Sequence, residues 1–129
     1  MIYIDSSVLL ADLLAEPRSP SEALWEEDLV SNQLLAYEVW NRINAYGLGI
    51  THGGRARGLL ARVNLTEMGE LALGRALEPF PVAVRTLDAL HLATALRLAE
   101  SGSMELTFLT HDAELAIAAR SVNFAVEGI

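Results

Sequence analysis

The chain has 129 residues, 52% of them hydrophobic and 20% charged, with a formal net charge of −8. Those figures describe one globular domain that can bury roughly two-thirds of its unfolded surface without a disulfide or metal staple. There is no cysteine and all nine basic residues are arginine, which excludes thiol nucleophiles, thiolate metal sites, P-loop phosphate binding and Schiff-base chemistry.

In chain order, Ile2-Tyr3-Ile4 reads as a short strand, and Asp5-Ser6-Ser7 supplies helix-capping chemistry behind it. A helix is expected over residues 8–15, ending before Pro17, and a second from Ser19-Pro20 to about Glu27. Leu29-Val30-Ser31 is a candidate strand, and the helical spacing from Leu34 to Tyr46 is closed by Gly47 and Gly49. An arginine-bearing helix over 52–62, a strand over 64–68 and a short helix over 70–77 come next, before Pro79 and Pro81. The strongest helical segment runs from Leu87 to Glu100 and ends at Gly102. Leu106 to Leu109 is the clearest strand, with a helix opening at Thr110 or His111 and a last strand over 122–126. Strands alternating with helices predict a single α/β domain over residues 1–129, with a parallel central sheet flanked by helices on both faces. MIYIDSS lacks the basic opening of a signal peptide, and no apolar run approaches the ~20 residues of a membrane span, so a cytoplasmic chain is expected.

Four acids stand at telling places. Asp5 follows the first strand and Asp112 the clearest one, in what reads as the first turn of the next helix; in parallel sheets that edge is where ligands bind. Asp88 opens the apolar helix Thr86-Leu87-Asp88-Ala89-Leu90-His91-Leu92-Ala93, where an unpartnered carboxylate would be expensive to bury. Glu38 shares a helix face with Arg42. Singly, each acid also reads as a helix cap or a surface ion pair worth less than about 1 kcal/mol.

Together, Ile4-Asp5-Ser6-Ser7, Glu38, Arg85-Thr86-Leu87-Asp88-Ala89-Leu90-His91-Leu92-Ala93-Thr94-Ala95 and Phe108-Leu109-Thr110-His111-Asp112 resemble the four signature blocks of PIN-domain proteins. Within that family the chain is most similar to the VapC toxins of bacterial toxin–antitoxin pairs. The resemblance implies a PIN-like α/β/α domain and an endoribonuclease dependent on Mg²⁺ or Mn²⁺, its clustered acids holding the metal. Carried over block by block, the catalytic and metal-binding acids fall on Asp5, Glu38, Asp88 and Asp112, with Thr110 and Ser6 in support. A metal-activated water attacking phosphorus in line is then expected. Converging carboxylates repel one another, and a hard divalent cation relieves that repulsion. The resemblance further implies an RNA substrate, a VapB-like antitoxin that sets a basic segment against the acids, and a homodimer.

Arg55 and Arg57, with Arg62, form a basic cluster that reads either as a solvated helix face or as an RNA-phosphate contact, and Arg85 can pair an acid or reach a phosphate. His91 reads as a packing residue of its apolar helix, and His111 stays open between packing and proton transfer. Tyr37 and Trp40 share a helix face expected to enter the core. Receiver domains and haloacid-dehalogenase-type phosphatases also gather acids at a sheet edge. Both rely on a lysine, and the phosphatases want a second Asp where Ser7 stands. A 5′-nuclease-like enzyme shares the PIN chemistry, yet this chain has little room for DNA-clamping additions. The alternative that remains is a non-catalytic PIN-like module that only binds a partner.

Overall fold

Among the residues that the computed structural model describes, 1–102 and 105–129, five strands alternate with six α-helices. The strands are β1 (Ile2–Ile4), β2 (Leu29–Asn32), β3 (Val63–Thr66), β4 (Thr107–Leu109) and β5 (Ala125–Glu127). The helices are α1 (Ser6–Leu13), α2 (Leu34–Ala45), α3 (Gly49–Leu60), α4 (Glu70–Ala76), α5 (Thr86–Ser101) and α6 (Ala113–Ser121). All four strand pairings are parallel and the sheet order is β3-β2-β1-β4-β5. The expected α/β architecture is therefore present, with the first strand made at the centre of the sheet.

The pleat divides the core in two. Successive residues of a strand face opposite sides, so on β1 Tyr3 joins one apolar cluster and Ile4 the other. Leu29 and Val30 on β2, and Leu109 and Phe108 on β4, divide the same way. The Ile4 side packs under α1, α2 and α3 through Val8, Leu9, Leu35, Val39 and Ala56; the Tyr3 side packs under α5 and α6 through Leu92, Ala95 and Leu115. A strand buried on both faces reads as a continuous apolar run, which is why β1 and β4 stand out in the sequence. The chain moves one way from β1 through β2 to β3, then returns to β4 on the other side, so its direction reverses between β1 and β4. The crevice outside the carboxyl ends of those two strands is the place such sheets offer a ligand.

Several boundaries differ from the sequence expectation for local reasons. The helix expected from Ser19 to Glu27 is only a 3₁₀ turn over Glu22–Glu26 that buries Trp25; a segment with one buried anchor gains too little to propagate a helix. Gly47 adopts φ +69 and ends α2, but Gly49 opens α3 instead of closing its predecessor. Asp112 is the N-cap of α6 rather than a member of its first turn, and α6 starts at Ala113. Tyr37 is 71% exposed: the buried stripe of α2 is Leu35, Val39 and Ile43, at i, i+4 and i+8, which leaves Tyr37 about half a turn away. Trp40 lies at the border of that stripe, packed against the core.

The C-terminal end is locked to the sheet edge by a glycine. Gly128 has φ +94, and a Cβ there would run into the carbonyl oxygen of Thr110. Gly128→Ala is expected to lower stability by about 1–3 kcal/mol, read as a lower urea midpoint; an unchanged midpoint would mean that the segment after β5 shifts freely.

Candidate active site

At the exit of β1, Asp5 is extended (φ −102, ψ 177) and stands at the N-cap of α1, yet its side chain makes no capping bond. Its carboxylate instead accepts a 2.7 Å hydrogen bond from Ser7 Oγ. The Ser7 hydroxyl also accepts the His111 backbone N–H at 2.9 Å and lies 3.3 Å from Thr110 Oγ1. Thr110 in turn accepts the Asp112 N–H at 3.0 Å. Ser7 and Thr110 thus tie the ends of β1 and β4 together, side by side. Burial is the main influence on Asp5 and raises its carboxyl to about 6, against the opposing pull of the Ser7 and Thr110 hydroxyls.

Asp112 caps α6 through Oδ1, which accepts from the N–H groups of Glu114 (2.9 Å) and Leu115 (3.2 Å). Its bond to the helix fixes the carboxylate's direction at the crevice. Asp88, half-buried in the first turn of α5, has its pKa raised first by burial and next by the charge of Asp112, with Glu38 adding to it. Glu38 approaches from α2: one oxygen accepts from Ser6 Oγ at 3.3 Å and the other meets His91 Nε2 at 2.5 Å. The expected Glu38–Arg42 pair is absent among the described residues because these partners, distant in sequence, take both carboxylate oxygens.

All four carboxylates line one cavity of about 530 Å³, together with Ser6, Ser7, Arg42, Arg85 and His111. Arg85 is highly exposed and only 3.9 Å from Glu114, a pairing worth little in water. Thr110 stands directly behind the cavity, fully buried. The three arginines of the basic cluster are occupied elsewhere. Arg55 pairs with Asp12, which also accepts from Trp25 Nε1 at 2.8 Å; Arg57 lies 5.6 Å over the Trp40 ring; Arg62 is 3.7 Å from Glu26. None of the three lines the acid cavity.

Ser7 and His91 make contacts that their sequence context does not show. Ser7 was visible only as capping chemistry, although its position two residues after Asp5 is the spacing of a hydroxyl that turns back on a carboxylate. His91 is buried as expected, but it bonds Glu38 rather than merely packing. His111 is half-buried, its Nδ1 has no hydrogen-bond partner, and burial chiefly lowers its pKa.

Asp5, Glu38, Asp88, Asp112, Ser6 and Thr110 offer only carboxylate and hydroxyl oxygens, the chemistry of a hard cation. Among the described residues no three His, Asp or Glu side chains are grouped tightly enough to hold a metal ion. Mg²⁺ does not require such a cage, since it keeps several waters and takes one or two carboxylates. A cavity wall on which Asp5, Glu38, Asp88 and Asp112 stand apart, with Glu16 also on the lining and Asp88 raised first by burial and then by the charge of Asp112, fits that mode of binding.

A family model described as the PIN domain matches residues 2–121. The protein named Ribonuclease VapC47, from Mycobacterium tuberculosis, is 34% identical over an alignment covering 96% of this chain and 93% of that protein. Ribonuclease VapC46, from the same species, is 33% identical over 97% of this chain and 95% of its own length. The chain belongs to the PIN-domain family, in its VapC-type branch. The PIN-domain match begins on β1 and ends with α6, so it includes every carboxylate of the cavity. This VapC-type chain aligns with both relatives nearly from end to end.

Proposed function

We propose that the protein is a divalent-metal-dependent endoribonuclease and the toxin of a toxin–antitoxin pair. The observation that supports this most is the shared cavity of Asp5, Glu38, Asp88 and Asp112, four carboxylates from four separate segments at the sheet's point of reversal. Both aligned relatives are named ribonucleases, which supplies the substrate class. Asp5, Glu38, Asp88 and Asp112 would hold Mg²⁺ or Mn²⁺, with Ser6 and Thr110 orienting them. Such an ion supplies an acidified water and neutralises charge on the phosphodiester. The protein's own side chains do the rest. Ser7 and Thr110 fix Asp5, the α6 N-terminus fixes Asp112, and the exposed Arg85 at the rim offers a phosphate a cation. No side-chain nucleophile is needed. The hydroxyls of Ser6 and Ser7 already donate to carboxylates.

In this reading a VapB-like antitoxin brings a basic segment to the acid crevice, for which a chain of net charge −8 is a complementary surface. A homodimer would cover apolar side chains left in water on α4 and the turn after it, Leu71 (66% exposed) and Leu77 (89% exposed) among them. The protein would act in the cytoplasm, where its RNA substrate is; no helix among the described residues is long and apolar enough to cross a membrane.

Purified protein incubated with total cellular RNA is expected to cleave it with Mg²⁺ or Mn²⁺ and to stop when EDTA is added. Asp88→Asn, folded by circular dichroism, is expected to lose the activity. Cleavage that survives both EDTA and the substitution would overturn the reading. Neither cleavage nor metal binding would instead make the chain a partner-binding module.

A further inference from the structure

Two buried side chains outside the four carboxylates connect to the cavity from behind. His91 is 1% exposed, on the face of α5 that packs against the centre of the sheet. Its Nε2 lies 2.5 Å from Glu38 Oε1 and its Nδ1 lies 2.8 Å from the hydroxyl of Tyr3. Tyr3 is fully buried on β1, its ring edge-on to the imidazole at 5.8 Å and stacked on Phe108 at 5.2 Å. None of this is required for packing alone. Leu, the commonest apolar choice in such a helix, would fill the site without a desolvated ring nitrogen.

The hydrogen-bond chemistry fixes a direction. An ionised carboxylate only accepts, so Nε2 must carry the proton it shares with Glu38. In the Nε2–H tautomer Nδ1 is bare and can only accept, so the Tyr3 hydroxyl donates to it. Burial raises the Tyr3 phenol well above its ordinary range, so this hydroxyl keeps its proton at any physiological pH. The chain of donors runs one way, from Tyr3 through His91 to Glu38. We propose that Tyr3 and His91 are positioning residues, which lock one imidazole tautomer and thereby aim the free lone pairs of Glu38 into the cavity. This rests on the metal-dependent reading above and names a part of the site that the four acidic blocks do not contain. Groups that orient a metal-binding carboxylate commonly matter 10–100-fold for metal affinity.

The test has two readouts on the intact, metal-free chain. In ¹⁵N-labelled protein, the ring signals of His91 are assigned by their disappearance in His91→Gln. They are expected to report the neutral Nε2–H tautomer, and Tyr3→Phe is expected to mix in the Nδ1–H form. An Nδ1–H ring in the wild type, or ring signals indifferent to Tyr3→Phe, would overturn the proposal. Mn²⁺ affinity by electron paramagnetic resonance is the second readout. His91→Leu should weaken it about 10–100-fold, and His91→Gln, whose amide N–H reaches the place of Nε2, should recover most of the loss. Melting curves identify any variant that has simply failed to fold, in which case the Gln variant and Tyr3→Phe decide. If Asp88→Asn loses Mn²⁺ while His91→Leu binds like wild type, the positioning role falls alone. If Asp88→Asn also binds like wild type, the metal reading itself falls.

Discussion

Asp5→Asn is expected to melt about 10 °C above the wild type at pH 7.5 without metal, and to cleave RNA more than about 100-fold more slowly. The two effects have one cause. Asp5 is 6% exposed, and burial raises its carboxyl to about 6, whereas in an unfolded chain it titrates near 3.9. Between those values the folded protein keeps a proton that the unfolded chain has released, so stability falls as pH rises through that window. Above about pH 6 the loss is complete, at about 3 kcal/mol for two pKa units. Asparagine has no charge to desolvate and can still accept from Ser7. The melting temperatures of the two proteins should coincide below about pH 4 and separate by pH 7; parallel curves would show that Asp5 ionises without penalty. The activity loss follows from removing a carboxylate of the proposed metal site. Loss of orienting groups alone costs up to about 100-fold, so loss of a ligand should exceed that. Stability held below its optimum by a charged cavity is a common signature of a functional site.

Phe108→Ala is expected to destabilise the protein by about 3–5 kcal/mol, a large part of the total stability of a domain this size. The ring is fully buried, stacked on Tyr3 across the β1–β4 pairing and in contact with Phe124 at 5.8 Å. Removing it opens a cavity under both central strands. Phe108→Leu should recover more than half of the loss in chemical denaturation. A loss below about 1 kcal/mol for the alanine variant would show that α6 collapses onto the gap.

Much of the fold was legible because its signals are local. The apolar runs of β1 and β4, the glycine after α2 and the helical spacing of α5 each depend on neighbours in sequence. The 3₁₀ turn at Glu22–Glu26 was misjudged because its residues have helical preferences but only Trp25 finds a place in the core. At the site, the four acids were visible as types at the ends of elements, and the cavity brings all four together. What they bond to was not visible. Glu38 had an arginine at helical spacing, a pairing worth only about 0.2–0.5 kcal/mol, and turned to His91, 53 positions away. His91 reads as apolar packing until Tyr3, 88 positions from it, supplies the other hydrogen bond. Arg55 and Arg57 looked like one basic patch and are separated by their partners, Asp12 and Trp40.

The place of β1 at the middle of the sheet bears on how the protein is made. This strand is synthesised before either of its partners, the second of which, β4, follows more than a hundred positions later, and Ser7 meets Thr110 across 103 positions. A nascent chain still attached to the ribosome carries Asp5, Glu38 and Asp88 before it carries either β4 or Asp112. The crevice therefore assembles only after β4 and Asp112 have been synthesised. A product truncated before β4 would leave Tyr3 and Ile4 without the strand that covers one edge of β1, and would have no constellation of acids to display. A frameshift just before β4 should be as silencing as a stop just after β1.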